Sequence, residues 1–283
     1  MTPARQTILI SALAVAGFFG LRALPDTQCA FLHADHQPVV VDGLEFCGVN
    51  EEANFYSPAA LRFPVALRIA LAEDGATGEL RLERDEGRPY YSHEVAISHT
   101  EKVHLHLRQA AGGRAYAHLH PVPADDGSWR FEVPAGLRAG TLHAYVDFAD
   151  ARTGRVMLAQ AEVVRPPAGA AVSSAPGLRM TMEASTLRTG QSATLRLRLE
   201  GPAGRPVKLR PVMGSLGHAV VFSVASTPDG YAHMHPTLEG GEYAADPTLA
   251  FRLRLPAPGS YDLWLQVDDG SRQLLRTSLQ VTP

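Results

Sequence analysis

The sequence predicts an all-β protein with two tandem β-sandwich domains, immunoglobulin-like or fibronectin-like, after an N-terminal signal or anchor helix. Three observations predict it: an uncharged apolar segment near the start, landmarks that occur twice in the remainder, and polar–apolar alternation with a period of two. Hydrophobic residues make up 45% of the 283 residues and charged residues 19%, so a sizeable core is expected. The formal charge of −3 argues against a nucleic-acid partner, which would need a basic surface.

The apolar segment is ILISALAVAGFFGL, residues 8–21, with Arg5 before it and Arg22 after it. A positive n-region followed by an apolar run of this length is typical of an export signal. No A-x-A site lies just after the run, so cleavage and retention as a membrane anchor both stay open for residues 1–25. In either case the basic flank predicts that the rest of the chain lies outside the cytoplasm, in the periplasm or at the cell surface. The remaining alternative is a buried core helix.

Residues 26–58 contain the only two cysteines of the chain, Cys29 and Cys47. In an exported protein, two cysteines are most simply explained by one disulfide. Closing this loop would stabilise the fold by roughly 3 kcal/mol in the chain-entropy account. His33 and His36 lie between the cysteines, so a Cys/His metal site is the alternative, although the spacing matches no familiar zinc pattern.

The chain beyond this segment is an internal repeat with three landmarks. They are GRP at 87–89 and 204–206, AYAHLHP at 115–121 with GYAHMHP at 230–236, and a glycine before a strand-like segment at Gly140 and Gly259. The two copies of each landmark are 117, 115 and 119 residues apart. We therefore infer a unit of about 105–110 residues that is present twice.

Within each unit, apolar and polar residues alternate along segments bounded by Gly, Pro, Asp and Ser. The segments are 66–71, 103–108 and 141–148 in the first unit, and 194–200, 250–256 and 261–267 in the second. This alternation predicts half-buried antiparallel strands, with the arginines of RLRLE and FRLRLP facing solvent. Strands at this density predict a β-sandwich at 59–165 and another at 178–283, joined by a Pro- and Ala-rich linker at 166–177.

Each unit carries three histidines with the spacing H-x(13 or 14)-H-x-H, namely His104, His118 and His120 in the first and His218, His233 and His235 in the second. Residues i and i+2 of a strand share one face, and the turn-forming residues between the first two histidines fold the stretch into a hairpin. We therefore expect three imidazoles to converge from two adjacent strands in each unit. Imidazole nitrogens at that spacing suit copper or zinc.

The candidate metal ligands are these six histidines together with His106, which shares a strand face with His104. Further candidates are His99, His143, Met213 and Met234, although Met234 is expected to point into the core. His218 has the strand parity of core-like Val220 and Phe222, which predicts that it lies beyond the strand end or is turned outward by a bulge. The first cluster is therefore expected to be the better formed. The alternative is a structural role, such as a histidine bonded to a turn carbonyl.

EKVHLHL with AHLHP in the first unit, and SLGHAVVF with AHMHP in the second, resemble a group of bacterial extracytoplasmic β-sandwich proteins described as heavy-metal-binding or YtkA-like. Members of that group carry an HLHP-type motif after a strand containing MHL or GHL. The resemblance covers about residues 90–150 and 205–283, and Val103 stands where that group often has methionine. It implies the six repeated histidines as metal ligands and a copper-related role outside the cytoplasm.

Two functions are therefore expected to compete. The first is an exported protein that binds copper, or else zinc, for sequestration or delivery, with an affinity that falls as the pH drops through about 6.5. The second is an extracytoplasmic scaffold or interaction module whose histidines are structural. The expected partners are a metal ion and another exported or membrane protein.

An enzyme is not expected, because no G-x-S-x-G, H-E-x-x-H or P-loop pattern is present. Catalysis would require an open three-histidine site with Glu94, Glu101 or Asp147 as proton acceptor.

Overall fold

The computed structural model of the protein describes residues 2–22, 39–41, 44–46, 55–58, 63–84, 87–110, 115–164, 177–183, 186–224, 230–239 and 246–283. Over these residues the chain forms two β-sandwiches that follow an N-terminal helix, which confirms the predicted fold class. Cys29, Cys47, His33 and His36 lie outside the described residues, so the disulfide and its metal-binding alternative stay predictions.

The N-terminal helix, α1, spans Pro3–Arg22 and buries none of its apolar surface in the protein. Ile8, Leu13 and Phe19 are each more than 60% exposed. A soluble core helix would bury one such face, so the core-helix alternative is wrong. The stretch Pro3–Gly20 is long and apolar enough to cross a membrane, as a signal or anchor helix would be.

Three short strands lie between α1 and the first domain: β1 (Val39–Val41), β2 (Leu44–Phe46) and β3 (Phe55–Tyr56). The first domain then contains nine strands: β4 (Val65–Leu71), β5 (Thr77–Arg84), β6 (Val95–Ala96), β7 (Val103–Gln109), β8 (Tyr116–Leu119), β9 (Val122–Pro123), β10 (Trp129–Glu132), β11 (Leu142–Asp150) and β12 (Val156–Val163). Its outer sheet has the order β4-β5-β10-β9, and its inner sheet has the order β12-β11-β7-β8 with β6 paired to β11. These orders correspond to strands A-B-E-D and G-F-C-C′ of an immunoglobulin-type sandwich.

The second domain repeats this arrangement with β13 (Arg179–Glu183), β14 (Leu187–Arg188), β15 (Ser192–Glu200), β16 (His218–Ser223), β17 (Tyr231–Met234), β18 (Thr237–Glu239), β19 (Thr248–Arg254), β20 (Gly259–Asp268) and β21 (Arg272–Thr282). Its outer sheet is β13-β15-β19-β18. Its inner sheet is β14-β21-β20-β16-β17-β3, in which β14 runs parallel to β21 and the other neighbours are antiparallel. All six segments with a period of two form strands, as predicted.

Each domain has its own core, built from alternate residues of its strands. In β15, Leu195, Leu197 and Leu199 are at most 1% exposed and pack into the core of the second domain. The intervening Arg196 and Arg198 lie at the surface and pair with acidic residues of neighbouring segments. The predicted assignment of leucines to the core and arginines to solvent is therefore confirmed.

The two inner sheets face each other through a cluster of mostly aromatic side chains drawn from both domains. Its members are Tyr56, Tyr116, Tyr145, Leu158, Val220, Phe222, Tyr231 and Trp264. The ring centroids of Tyr116 and Trp264 are 5.4 Å apart, and Arg108 of the first domain donates to the carbonyl oxygen of Ser223 in the second. A sandwich face that usually meets water is covered here by the other domain.

This contact corrects the expectation for His218. Val220 and Phe222 do share its strand face, but that face packs against the first domain, while Ala219 and Val221 fill the core of the second. His218 is therefore the first residue of a regular strand, without a bulge, and points to the interface between the domains. Parity was interpreted wrongly because both faces of β16 are buried.

Strand β3, from the segment before the first domain, pairs with β17 of the second domain, with Tyr56 opposite Tyr231. Gly230 makes this pairing possible, because a Cβ atom there would lie 2.4 Å from the carbonyl oxygen of Tyr56. The N-terminal segment thus closes one edge of the second inner sheet.

We expect Gly230→Ala to force β3 off β17 and to destabilise this edge by about 1–3 kcal/mol, the usual cost of overpacking. Hydrogen exchange of the amides of residues 55 and 56 should become faster. Gly136→Ala is the matched control, because its added Cβ would meet only Ala115 at an ordinary 3.7 Å. Equal protection of residues 55 and 56 in both variants would contradict the tight approach at Gly230.

Candidate metal centre between the two domains

One end of the interdomain interface is occupied by eight histidines in continuous ring contact: His99, His104, His106, His118, His120, His218, His233 and His235. The ring centroids of His118 and His233, one from each domain, are 5.0 Å apart, and those of His106 and His233 are 4.8 Å apart. The sequence predicts one cluster in each unit, and the structure merges the two into one. We call it the histidine cluster.

Successive side chains of β7 and β16 point to opposite faces of their sheets, which places the histidines at the interface. In β7, Val103 and Leu105 point into the core of the first domain, so His104 and His106 point the other way. His118 on β8 lies directly opposite His106. In the second domain β16 and β17 place His218 and His233 in the same way, except that Val220 occupies the position of His106.

A tight turn before each of these strands fixes one histidine. The turns are Ser98–Glu101 and Val212–Ser215, and both central residues of each have positive φ, as in a type I′ turn. His104 Nε2 lies 3.0 Å from the carbonyl oxygen of Ser98, and His218 Nε2 lies 2.8 Å from that of Val212. A histidine bonded to a turn carbonyl is the structural role that the sequence left open, and it is observed twice.

A second pair of hydrogen bonds crosses between the domains. His118 Nδ1 lies 3.2 Å from Oε1 of Gln266 in the second domain, and His233 Nδ1 lies 3.2 Å from Oδ1 of Asp147 in the first. Asp147 and Gln266 hold equivalent positions, since Asp147 stands opposite His104 across its sheet and Gln266 stands opposite His218. Each domain therefore orients one imidazole of the other.

These partners determine which ring nitrogens carry hydrogen. Carbonyl, amide and carboxylate oxygens can only accept, so Nε2 of His104 and of His218 donates, and so does Nδ1 of His118 and of His233. In a neutral imidazole the other nitrogen then carries a lone pair. His104 Nδ1 and His118 Nε2 face each other at 3.1 Å, and His218 Nδ1 and His233 Nε2 face each other at 3.2 Å. Each contact brings two lone pairs together.

A proton shared by the two nitrogens would relieve this repulsion, but burial opposes it. Burial lowers the pKa of His218 to about 4, although its hydrogen bond to Val212 acts in the opposite sense. Burial likewise holds the pKa of His118 and of His233 well below the usual range, and neighbouring histidines lower both further. Burial therefore favours the uncharged form of His118, His218 and His233 at neutral pH.

The spacing fits two ligands of one metal ion. For metal–nitrogen bonds of roughly 2.0–2.1 Å, nitrogens 3.1–3.2 Å apart subtend an angle of about 100° at the ion, between the square and tetrahedral values. The ligand atoms fall into three sets within 4.8 Å of one another: His104, His118 and His233; His218, His233 and His235; and His106, Asp147 and His233. His233 belongs to all three.

Several polar atoms of the cluster are buried without a partner in the described part of the chain. They are Nε2 of His106, of His120 and of His235, and Oδ2 of Asp147. His106 Nε2 lies 3.6 Å from Asp147 Oδ2, beyond a normal hydrogen bond, while His106 Nδ1 is 2.8 Å from the hydroxyl of Tyr116. Unpaired buried polar atoms are costly, and a bound cation is one way to satisfy them.

Asp147 is the acidic group of the cluster. Burial alone would raise its pKa, but the neighbouring His233 and interactions with His106 outweigh burial and hold the pKa well below the usual range. Its carboxylate is therefore charged at neutral pH and offsets part of the charge of a bound cation. Gln266, at the equivalent position, carries no charge, so the two halves of the cluster differ electrostatically.

The structure brings all seven predicted candidate ligands together, along with His99, whose ring centroid is 3.8 Å from that of His235. His143 lies apart, with Nε2 3.7 Å from a carboxylate oxygen of Glu162, and Met234 packs in the core as expected. Met213 occupies the turn position equivalent to His99. The facing nitrogens of the second domain are nearly as close as those of the first, at 3.2 Å against 3.1 Å.

Sequence reasoning missed the positioning role of Asp147, considered only as a proton acceptor, and that of Gln266. A signal was present, because the two residues stand seven positions after Gly140 and Gly259, the glycines that align the repeats. Their strand parity also points them away from the core of their own domain.

The described residues thus form tandem immunoglobulin-like sandwiches with a histidine cluster between them. Among families, a model described as "Domain of unknown function (DUF8832)" matches residues 172–282, which is nearly the whole second domain. Curated proteins provide no match.

Solved structures with some likeness include FdeC, an Escherichia coli adhesin (17% identity, 81% of this chain, 66% of that chain, TM-score 0.22). A second is invasin, a bacterial integrin-binding protein (12% identity, 76% of this chain, 39% of that chain, TM-score 0.24). A third is domains 4 and 5 of the S-layer protein SbsC (14% identity, 51% of this chain, 66% of that chain, TM-score 0.22). This chain spans less than two thirds of each of them. At TM-scores of this size the likeness carries no information about function.

The lowered histidine pKa values predict acid sensitivity of the metal-free protein. Below pH about 6.5 the histidines of the unfolded chain bind protons, whereas the buried histidines of the folded protein do not until the pH is lower. The free energy of unfolding should therefore fall as the pH drops from about 6.5 to about 4. His218 alone, 1% exposed, accounts for a decrease on the order of 3 kcal/mol.

Urea unfolding in the presence of a chelator, followed at a series of pH values, measures this dependence. His218→Gln should flatten it, whereas His93→Gln, at an exposed histidine outside the cluster, should leave it unchanged. Equal stability of the wild type at about pH 7 and about pH 5 would contradict the burial of neutral imidazoles.

Proposed function

We propose that the protein is an extracytoplasmic metal-binding protein that uses the histidine cluster to hold copper, with zinc as the alternative, for sequestration or delivery. The observation that carries this proposal is two pairs of facing imidazole nitrogens, 3.1 and 3.2 Å apart. The other ring nitrogen of each of these four histidines lies against an oxygen acceptor. Neutral imidazole nitrogens suit copper and zinc, and a cation between them removes the repulsion.

The surroundings of the cluster support the same proposal. Nδ1 of His233 donates to a carboxylate and Nε2 of His104 donates to a backbone carbonyl, which are the usual outer partners of metal-bound histidines. His99, His120 and His235 are partly exposed and contact the buried imidazoles, so they offer an ion a route from solvent. The resemblance of both motifs to the heavy-metal-binding, YtkA-like group points in the same direction.

An export role for α1 agrees with this chemistry. The helix leaves its apolar surface free for a membrane, and its basic flank at Arg5 favours the cytoplasmic side. We propose that α1 is an export signal or an uncleaved anchor and that both sandwiches lie outside the cytoplasm.

The second candidate is a scaffold in which the same histidines are structural. The observation in its favour is that His118 and His233 hydrogen-bond across the interface to Gln266 and Asp147. In that case the cluster would orient the two domains for contact with a partner, and metal would be irrelevant. Metal titration distinguishes the two candidates.

We expect the chelator-treated wild type to bind Cu(II) stoichiometrically, and His118→Ala with His120→Ala to lose this binding, because one lone pair of a facing set is removed. Bound copper is measured by elemental analysis after desalting, and zinc is tested in parallel. His93→Ala with His143→Ala is the matched control, since it removes two histidines outside the cluster. Copper binding that is equal in both double variants would favour the scaffold.

Asp147→Asn should weaken copper binding about 10–100-fold, the usual effect of removing an outer carboxylate from a metal-bound histidine. The substitution keeps the size of the side chain and places an amide where the second domain already has Gln266. Affinity is measured by competition with a chelator of known strength. An unchanged affinity would show that Asp147 has no role in metal binding, without contradicting the role of the imidazoles.

A further inference from the structure

The two copies of the histidine motif raise the question of how many ions they hold. Duplicated motifs suggest one ion per domain, each with three imidazoles of its own. The contacts between the domains favour a different arrangement, which rests on the proposed metal-binding function and deepens it.

We infer that a single ion is held jointly by both domains, through His104 and His118 of the first and His233 of the second, and that it acts as a bond between them. The first domain supplies its facing pair, whose nitrogens are 3.1 Å apart, and the second supplies His233, whose ligand atom lies within 4.8 Å of both. Imidazole nitrogens of this kind suit a copper or zinc ion.

His233 links the two facing pairs. The three ligand atoms nearest to one another around His104 and His118 include His233, from the other domain, within 4.8 Å. The same His233 belongs with His218 and His235. The rings also contact one another in both directions, with His118 5.6 Å from His218 and His104 5.4 Å from His233. An ion held by His104, His118 and His233 is therefore bound by both domains.

Electrostatic repulsion favours one ion over two in this cluster. Two divalent ions a few ångströms apart repel each other four times as strongly as two single charges, and a buried site screens this poorly. Within the described residues, the groups hydrogen-bonded or ion-paired to the cluster include one carboxylate, Asp147. The equivalent position in the second domain is the neutral Gln266. The cluster is therefore equipped for the charge of one cation.

The consequence is mechanical. The inner sheets already meet through the aromatic cluster at the other end of the interface, where Tyr116, Tyr145 and Phe222 are in ring contact. An ion bound by both domains fastens the histidine end as well, and neither domain can bind it at full strength when the other turns away. Metal binding and the association of the domains are then linked, so that each strengthens the other.

The test uses the full chain in detergent, titrated with Cu(II) after treatment with a chelator. Two double variants are compared, His104→Ala with His118→Ala and His218→Ala with His233→Ala, and His93→Ala with His143→Ala serves as the control. Far-ultraviolet circular dichroism of the metal-free variants verifies that each one folds.

A joint ion predicts one copper per wild-type chain and the loss of this copper in both double variants. Two coppers per wild-type chain, with one retained in each double variant, would overturn the joint site and leave the proposed function intact. One copper that survives in either double variant would also overturn it, because the two histidines removed in that variant would not be needed to hold the ion. A wild type that binds no copper or zinc would overturn the proposed function itself.

Electron paramagnetic resonance of the copper-loaded wild type keeps the inference testable if a variant fails to fold. The joint site predicts an isolated Cu(II) signal that integrates to one spin per chain and shows at least three nitrogen ligands. A half-field transition or spin coupling between two Cu(II) ions would contradict it.

Discussion

The arrangement depends on burying the outward faces of the two inner sheets against each other. In a free-standing sandwich these faces meet water, and histidines on them would be solvated and titrate near their usual pKa. Here β7 and β16 are buried on both faces, which removes their imidazoles from water, and burial lowers the pKa of His106 and of His218. The aromatic cluster provides the apolar area that holds the sheets together, and the histidine cluster occupies the end where β7 and β16 begin.

Within that interface, hydrogen bonds to oxygen acceptors fix the orientation and the tautomer of the imidazoles. A histidine with two free nitrogens can rotate and change tautomer, whereas one that donates to a carbonyl or carboxylate presents its lone pair in one direction. The turns at Ser98 and Val212 orient one imidazole of each pair, and the opposite domain orients the other. The structural and the metal-binding interpretations therefore involve the same bonds.

Duplication has produced two halves that are alike in backbone and unlike in chemistry. Asp147 corresponds to Gln266, His106 to Val220 and His99 to Met213. The first domain thus contributes the charge and the additional imidazoles, while the second contributes neutral and apolar groups at those positions. Two identical halves would carry either two carboxylates or none at this position. The single carboxylate of the observed arrangement suits one cation between the two domains.

The amino-acid sequence alone determined the strands, the repeat, the two cores and the membership of the histidine cluster, because these follow from local periodicity and spacing. The alternation in RLRLE and the H-x-H pairs is visible without any knowledge of long-range contacts. The tertiary structure decided where the histidines point and what they meet. The parity of His218 was ambiguous because a strand buried on both faces gives no alternation, and the pairing of His233 with Asp147 spans 86 residues and two domains. Such contacts arise from the packing of one sheet on another, which no local pattern encodes.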